Sequence, residues 1–149
     1  TCSQCGTGLV DANAAVDAAL GGGGGGGGGV VPTPVAEVEN NNTLNRAQLV
    51  SVNPALVSGS ISSNKDTDYY RVSLAAGATL TATLTPPANR DYDLYLYNAS
   101  GSLITRSTNG TGQVDSAAVV NTGGTAATVV VRVLHYSGGG GAYTLGLAQ

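Results

Sequence analysis

Phenylalanine, tryptophan and methionine are absent from the 149 residues, Lys65 is the only lysine and His135 the only histidine. A hydrophobic core must therefore be assembled from Val, Leu, Ala and Tyr. Charged residues make up 10% of the chain, and the net charge is -3. The six basic residues are scattered singly and form no basic patch, which argues against nucleic acid as a partner. Two cysteines and one distant histidine fall short of the four ligands of a zinc site. No apolar run is long enough to span a bilayer, so membrane insertion is not expected. The chain opens on Thr1 with no leader-like segment, which reads as a mature or excised piece.

What is present is glycine, 23 residues of 149, with abundant Thr and Ser. Low charge and a Thr/Ser-rich surface point to a β-rich extracellular protein. The length suits one ordinary domain. Asp91 to Gly101, DYDLYLYNASG, alternates with a period of two. Tyr92, Leu94 and Leu96 share one face and Asp93, Tyr95 and Tyr97 the other, before turn residues stop the run. The pattern predicts a strand at the centre of an antiparallel sheet. Further strands are expected at Leu56–Ile61, Asp68–Leu74, Thr79–Thr85, Leu103–Arg106, Val114–Val120, Ala127–Tyr136 and Ala142–Leu147. About eight short strands at roughly ten-residue spacing predict an all-β fold, an antiparallel, jelly-roll-like β-sandwich.

The first twenty residues differ. Asp11 or Asn13 can cap a short Ala-rich helix that ends at Leu20, with Gly21 as its stop. Nine glycines follow, Gly21–Gly29, then Val-Val-Pro-Thr-Pro. No Lys-Ser/Thr follows the glycines, so a phosphate loop does not fit, and a flexible tether does. Three segments are expected: 1–20, a linker at 21–34, and a sandwich domain at 35–149. Cys2 and Cys5 read first as the structural disulfide of an exported protein, paired with each other or with cysteines elsewhere. A zinc site lacks ligands, and a redox pair lacks its βαβ context.

Glu37, Glu39 and Asn41 project together from an extended segment. They read either as part of a calcium shell or as a solvated polar lead-in to the domain. No catalytic set emerges. His135 has neither an orienting acid nor an activated serine around it and reads as a loop histidine. Asp91 and Asp93 could suggest acid/base work on sugars, but read more simply as a strand edge or a metal site. Tyr95 and Tyr97, with Tyr69 and Tyr136, are candidates for a binding surface, because tyrosine offers a flat apolar body with a polar tip. Cross-strand packing is the competing explanation.

Two resemblances add to this reading. Cys5-Gly-Thr-Gly-Leu-Val-Asp-Ala12 with the alanine-rich run after it resembles the last turn and helix of subtilisin-like serine peptidase catalytic domains. From Glu37 to Leu147 the chain resembles the bacterial pre-peptidase C-terminal domain. The marks are Glu37-x-Glu39-x-Asn41, Val57-Ser-Gly-Ser-Ile61, Asp66-Thr-Asp-Tyr-Tyr70, Leu74-Ala-Ala-Gly77, Asp93-Leu-Tyr-Leu-Tyr97, Val131-Arg-Val133 and Tyr136-Ser-Gly138 before Tyr143-Thr-Leu145. The second resemblance implies a small β-sandwich at the C-terminus of a secreted bacterial peptidase. Such modules are often removed on maturation, and some bind insoluble protein, collagen above all. It also implies calcium, held by Glu37, Glu39 and Asn41 opposite Asp66 and Asp68. Asn40 stands where the family often has proline, and Val129–Leu134 lacks the aromatics that collagen binders favour. The expected role is a non-catalytic accessory domain, with its own catalytic domain and an insoluble collagen-like substrate as partners. The alternative is a module that only stabilises the catalytic domain and has no ligand of its own.

Overall fold

The computed structural model of the chain describes residues 29–149. The expected helix and disulfide within residues 1–20, and nearly all of the glycine run, lie outside the described residues. Two five-stranded sheets pack face to face. The first has the order β1 (Thr33–Ala36), β3 (Ala55–Ile61), β10 (Gly141–Ala148), β5 (Thr79–Thr85), β8 (Asp115–Val120). The second has the order β2 (Gln48–Leu49), β4 (Thr67–Leu74), β9 (Ala127–Ser137), β6 (Asp91–Asn98), β7 (Leu103–Ser107). A single 3₁₀ turn, Leu44–Arg46, is the only helical element among the described residues.

Alternation builds the core. Leu80, Ala82 and Leu84 of β5 point inward while the threonines of that strand face out. Tyr70, Val72 and Leu74 of β4, Tyr92, Leu94 and Leu96 of β6, and Tyr143, Leu145 and Leu147 of β10 complete the same buried cluster. Each strand expected from periodicity is present.

Three features differ from expectation. The described residues hold ten strands rather than about eight, because β1 and β2 are too short to show a period. Both are edge strands and both pair in parallel, β1 with β3 and β2 with β4, so the sheets are mixed. Thr33 and Pro34, read as linker, belong to β1. Proline is tolerated there because an edge strand bonds on one side only. Thr33 N and Glu37 N donate inward to Pro54 O and Ser58 O, so Pro34 turns its donor-less nitrogen outward. Finally, Asp91–Asn98 is not central. That place belongs to β9, where Val129, Val130, Val131 and Val133 are all buried. A strand covered on both faces reads as a continuous apolar run rather than an alternating one.

The connections place the functional groups. Residues 37–47 carry the chain from the edge of the first sheet (β1) to the same-side edge of the second (β2). Gln48 ties the two together: its Nε2 donates to Ala36 O (2.8 Å) and its Oε1 accepts from Val38 N (2.8 Å). Residues 108–114 make the corresponding crossing on the opposite side, from β7 to β8.

Replacing Leu96 by Ala is expected to cost about 2–5 kcal/mol in urea unfolding. Leu56→Ala on the same scale should cost under about 0.5 kcal/mol, because Leu56 is 40% exposed.

Candidate functional site

Glu37 and Glu39 follow β1, and Asp68 opens β4 where the chain turns back into the second sheet. Among the described residues, these three are the one group of carboxylates whose oxygens all lie within 4.8 Å of one another. That spacing fits a shell of Ca²⁺–oxygen bonds of about 2.3–2.6 Å. Asn41 joins them: its Nδ2 donates to Glu37 Oε1 (3.3 Å). Asn41 Oδ1 and Asp68 Oδ1 are buried and accept no hydrogen bond. Orphaned buried oxygens beside clustered carboxylates are the donor set a hard cation uses. A groove of about 600 Å³ opens beside Glu37 and Glu39.

Asp66 takes another role. Its carboxylate accepts from Ser62 N (2.6 Å) and Thr67 N (3.0 Å), and so folds the loop before β4. Its charge still acts on Glu39 and Asp68.

Behind the carboxylates runs a buried polar chain. Tyr70 donates to Glu37 Oε1 (3.1 Å), the Tyr70 and Tyr143 hydroxyls lie 2.6 Å apart, and the Tyr143 hydroxyl lies 2.6 Å from Asp68 Oδ2. Three links need three protons, and two hydroxyls supply two. The third sits on a carboxyl, and Asp68 is the group suited to carry it. Burial first, then the Glu37 and Asp66 charges, push its carboxyl from 3.8 up to about 8. Glu39 is also raised, by burial and by the Asp66 and Glu37 charges. Burial drives both tyrosine hydroxyls upward, so they stay neutral donors. Glu37 Oε2 accepts from Ser60 N (2.7 Å). Gly59 lies directly beneath the Tyr143 ring and leaves no room for a Cβ. Tyr70, Tyr143 and Ser60 were not singled out in the sequence; the available signal was tyrosine at core positions, whose polar tip needs a partner.

The tyrosines divide into two places. Tyr69 of β4, Arg132 of β9 and Tyr95 of β6 stand in register on the outer face of the second sheet. The Arg132 guanidinium carbon is 5.5 Å from the Tyr69 ring centroid and 5.9 Å from that of Tyr95. Tyr97 stacks against Tyr95 with centroids 6.3 Å apart and planes 16° apart, and accepts from Arg132 Nη1 (3.4 Å). All three rings are half-buried. Arg132, also unsingled in the sequence, is their hub. Tyr136, 70% exposed, stands apart: β9 bulges opposite Asp91 and Tyr92, which turns it toward the opposite edge. His135 Nε2 accepts from Gly139 N (3.0 Å) and anchors the glycine loop.

Neither a protein-family model nor a curated protein matches the chain. Solved structures do. The pre-peptidase C-terminal domain of a collagenase from Bacillus anthracis aligns with a TM-score of 0.56 at 16% identity, over 68% of this chain and 93% of that one. A periplasmic inhibitor of g-type lysozyme from Aeromonas hydrophila aligns at 0.49 and 17% identity, over 68% and 96%. Its counterpart from Salmonella Typhimurium aligns at 0.44 and 17%, over 68% and 97%. The likeness to the collagenase domain is one of fold, a sandwich like that of a pre-peptidase C-terminal domain.

Without metal, the raised Asp68 carboxyl stabilises the fold below its unfolded value near 3.8, and this contribution fades as pH climbs toward 8. In chelator, urea midpoints should fall between pH 4 and 8, and Asp68→Asn should flatten that slope. Gly59→Ala should displace Tyr143 and lower stability by about 1–3 kcal/mol.

Proposed function

We propose that the chain is a non-catalytic accessory module of a secreted bacterial serine peptidase of the subtilisin-like class. It docks on insoluble protein of the collagen type, or assists export before removal on maturation. The fold likeness to a collagenase's pre-peptidase C-terminal domain supports the class. The observation that carries substrate docking is the outer face of the second sheet. There Tyr69, Tyr95 and Tyr97 are set around Arg132. Rings held by packing lose little freedom on contact, and Tyr and Arg supply much of the energy at protein interfaces. Joined to a catalytic domain through the glycine run, even a weak contact raises the enzyme's effective concentration on a solid substrate.

Calcium is part of the same reading. Glu37, Glu39, Asn41 and Asp68 would hold the ion, with Asp66 shaping the loop beneath. The ion would neutralise the clustered carboxylates and fix the crossing segment 37–47 to the sandwich. That segment joins the linker to the domain, so metal would set how the module hangs from its partner.

Two measurements test the proposal. Ca²⁺ at a hundredfold excess over the Kd of this site should add about 2.7 kcal/mol to the stability of the full chain through it, and Glu39→Gln should remove that contribution. Sedimentation of the full chain with insoluble collagen, elastin and keratin should show retention on at least one. Tyr95→Ala and Tyr97→Ala should each weaken that retention about tenfold. No retention on any of the three would overturn docking and leave export or folding assistance as the better account.

A further inference from the structure

The opposite edge of the sandwich holds a second acidic cluster. Asp91 and Asp93 of β6 line a cavity of about 240 Å³ with Thr108, Asn109, Gly110 and Tyr136. Asp91 is 7% exposed and its Oδ1 accepts no hydrogen bond. Asp93 is 5% exposed, and its Oδ2 receives only a long contact from the Tyr95 hydroxyl (3.4 Å). Asp115 stands behind them at the start of β8, fully buried. Its Oδ1 accepts from Asn109 N (2.8 Å) and from the Ser107 hydroxyl, and its Oδ2 has no partner.

Asp115 is therefore the post on which the loop 108–110 is hung, and Asn109 Nδ2 locks that loop further by donating to Val114 O (2.8 Å). Asp91 and Asp93 face the cavity the loop encloses. Burial and the charges of Asp91 and Asp115 raise the Asp93 carboxyl, and Arg106 offsets this only in part. Buried carboxylates without a cationic partner are costly unless they share a proton or coordinate a metal. Two carboxylates beside a loop that offers hydroxyl, amide and carbonyl oxygens make an all-oxygen donor set, which suits Ca²⁺ and not a soft metal.

We infer that this cavity is a second divalent-cation site, taking Ca²⁺ through Asp91 and Asp93 with oxygens of the loop 108–110. Asp115 positions the loop and does not touch the ion. The site is independent of the one at Glu37, Glu39 and Asp68, and bound ion would clamp the β7–β8 crossing as the first ion clamps the β1–β2 crossing.

The test is a calorimetric Ca²⁺ titration of the full chain. Two equivalents are expected, falling to one in Glu39→Gln and to none when Asp91→Asn and Asp93→Asn are added. A chain whose stoichiometry is unchanged by Asp91→Asn/Asp93→Asn would overturn the inference. One equivalent that survives Glu39→Gln intact but is lost in Asp91→Asn/Asp93→Asn would uphold it while removing calcium from the first site. Should the double variant fail to fold, Mn²⁺ added to the unaltered chain decides. Broadening of the Asn109 and Gly110 amide resonances upholds the site, and sharp signals there overturn it.

Discussion

The hydrogen-bonded run from Glu37 through Tyr70 and Tyr143 to Asp68 is the constraint on which the acidic edge depends. Tyr143 comes from the middle of one sheet and Tyr70 from the other, so the run crosses the sandwich. Its ends are the half-buried carboxylate of Glu37 and the fully buried carboxyl of Asp68. An apolar interior would leave those carboxylates free to splay; the two hydroxyls fix their separation instead. Buried polar networks are costly when partly satisfied and rigidifying when complete. Here completeness requires one further proton on a carboxyl, which ties the protonation of the edge to order in the core.

The same logic recurs at the far side. A β-sandwich is closed on its faces by packing but open at its flanks, where the chain must pass from sheet to sheet. In this molecule both passages, 37–47 and 108–114, run over buried acidic side chains. Neutral polar residues would have met the hydrogen-bonding needs of those loops. Carboxylates instead leave buried oxygens without partners at both flanks, while the aromatic face between them stays built on β4, β9 and β6.

The strands were legible because a half-buried strand must alternate, and Thr79–Thr85 does so without exception. The edge strands were not, since four and two residues hold no period and Pro34 argues for linker. The acidic lead-in was visible as a spacing of two, yet the same rule misplaced Asp66. It assumed an extended chain, whereas Asp66 N donates to Ser63 O in a turn and β4 begins only at Thr67. The partners of the carboxylates were hidden for a different reason. Tyr70 and Tyr143 stand 73 positions apart, and only the register of two sheets reveals that their hydroxyls meet. Tyr136 was grouped with the other tyrosines by chemistry, and a bulge separates it from them.

Pro34 and Gln48 together leave the β1 flank with little to offer another strand. The proline has no outward donor, and the glutamine amide already occupies Ala36 O and Val38 N. Exposed sheet edges are templates for pairing with further chains. Copies of a chain with an open edge, brought close together, would be able to join edge to edge into a growing ribbon. A blunted flank of this kind lets copies crowd together at high concentration and still come apart as separate molecules.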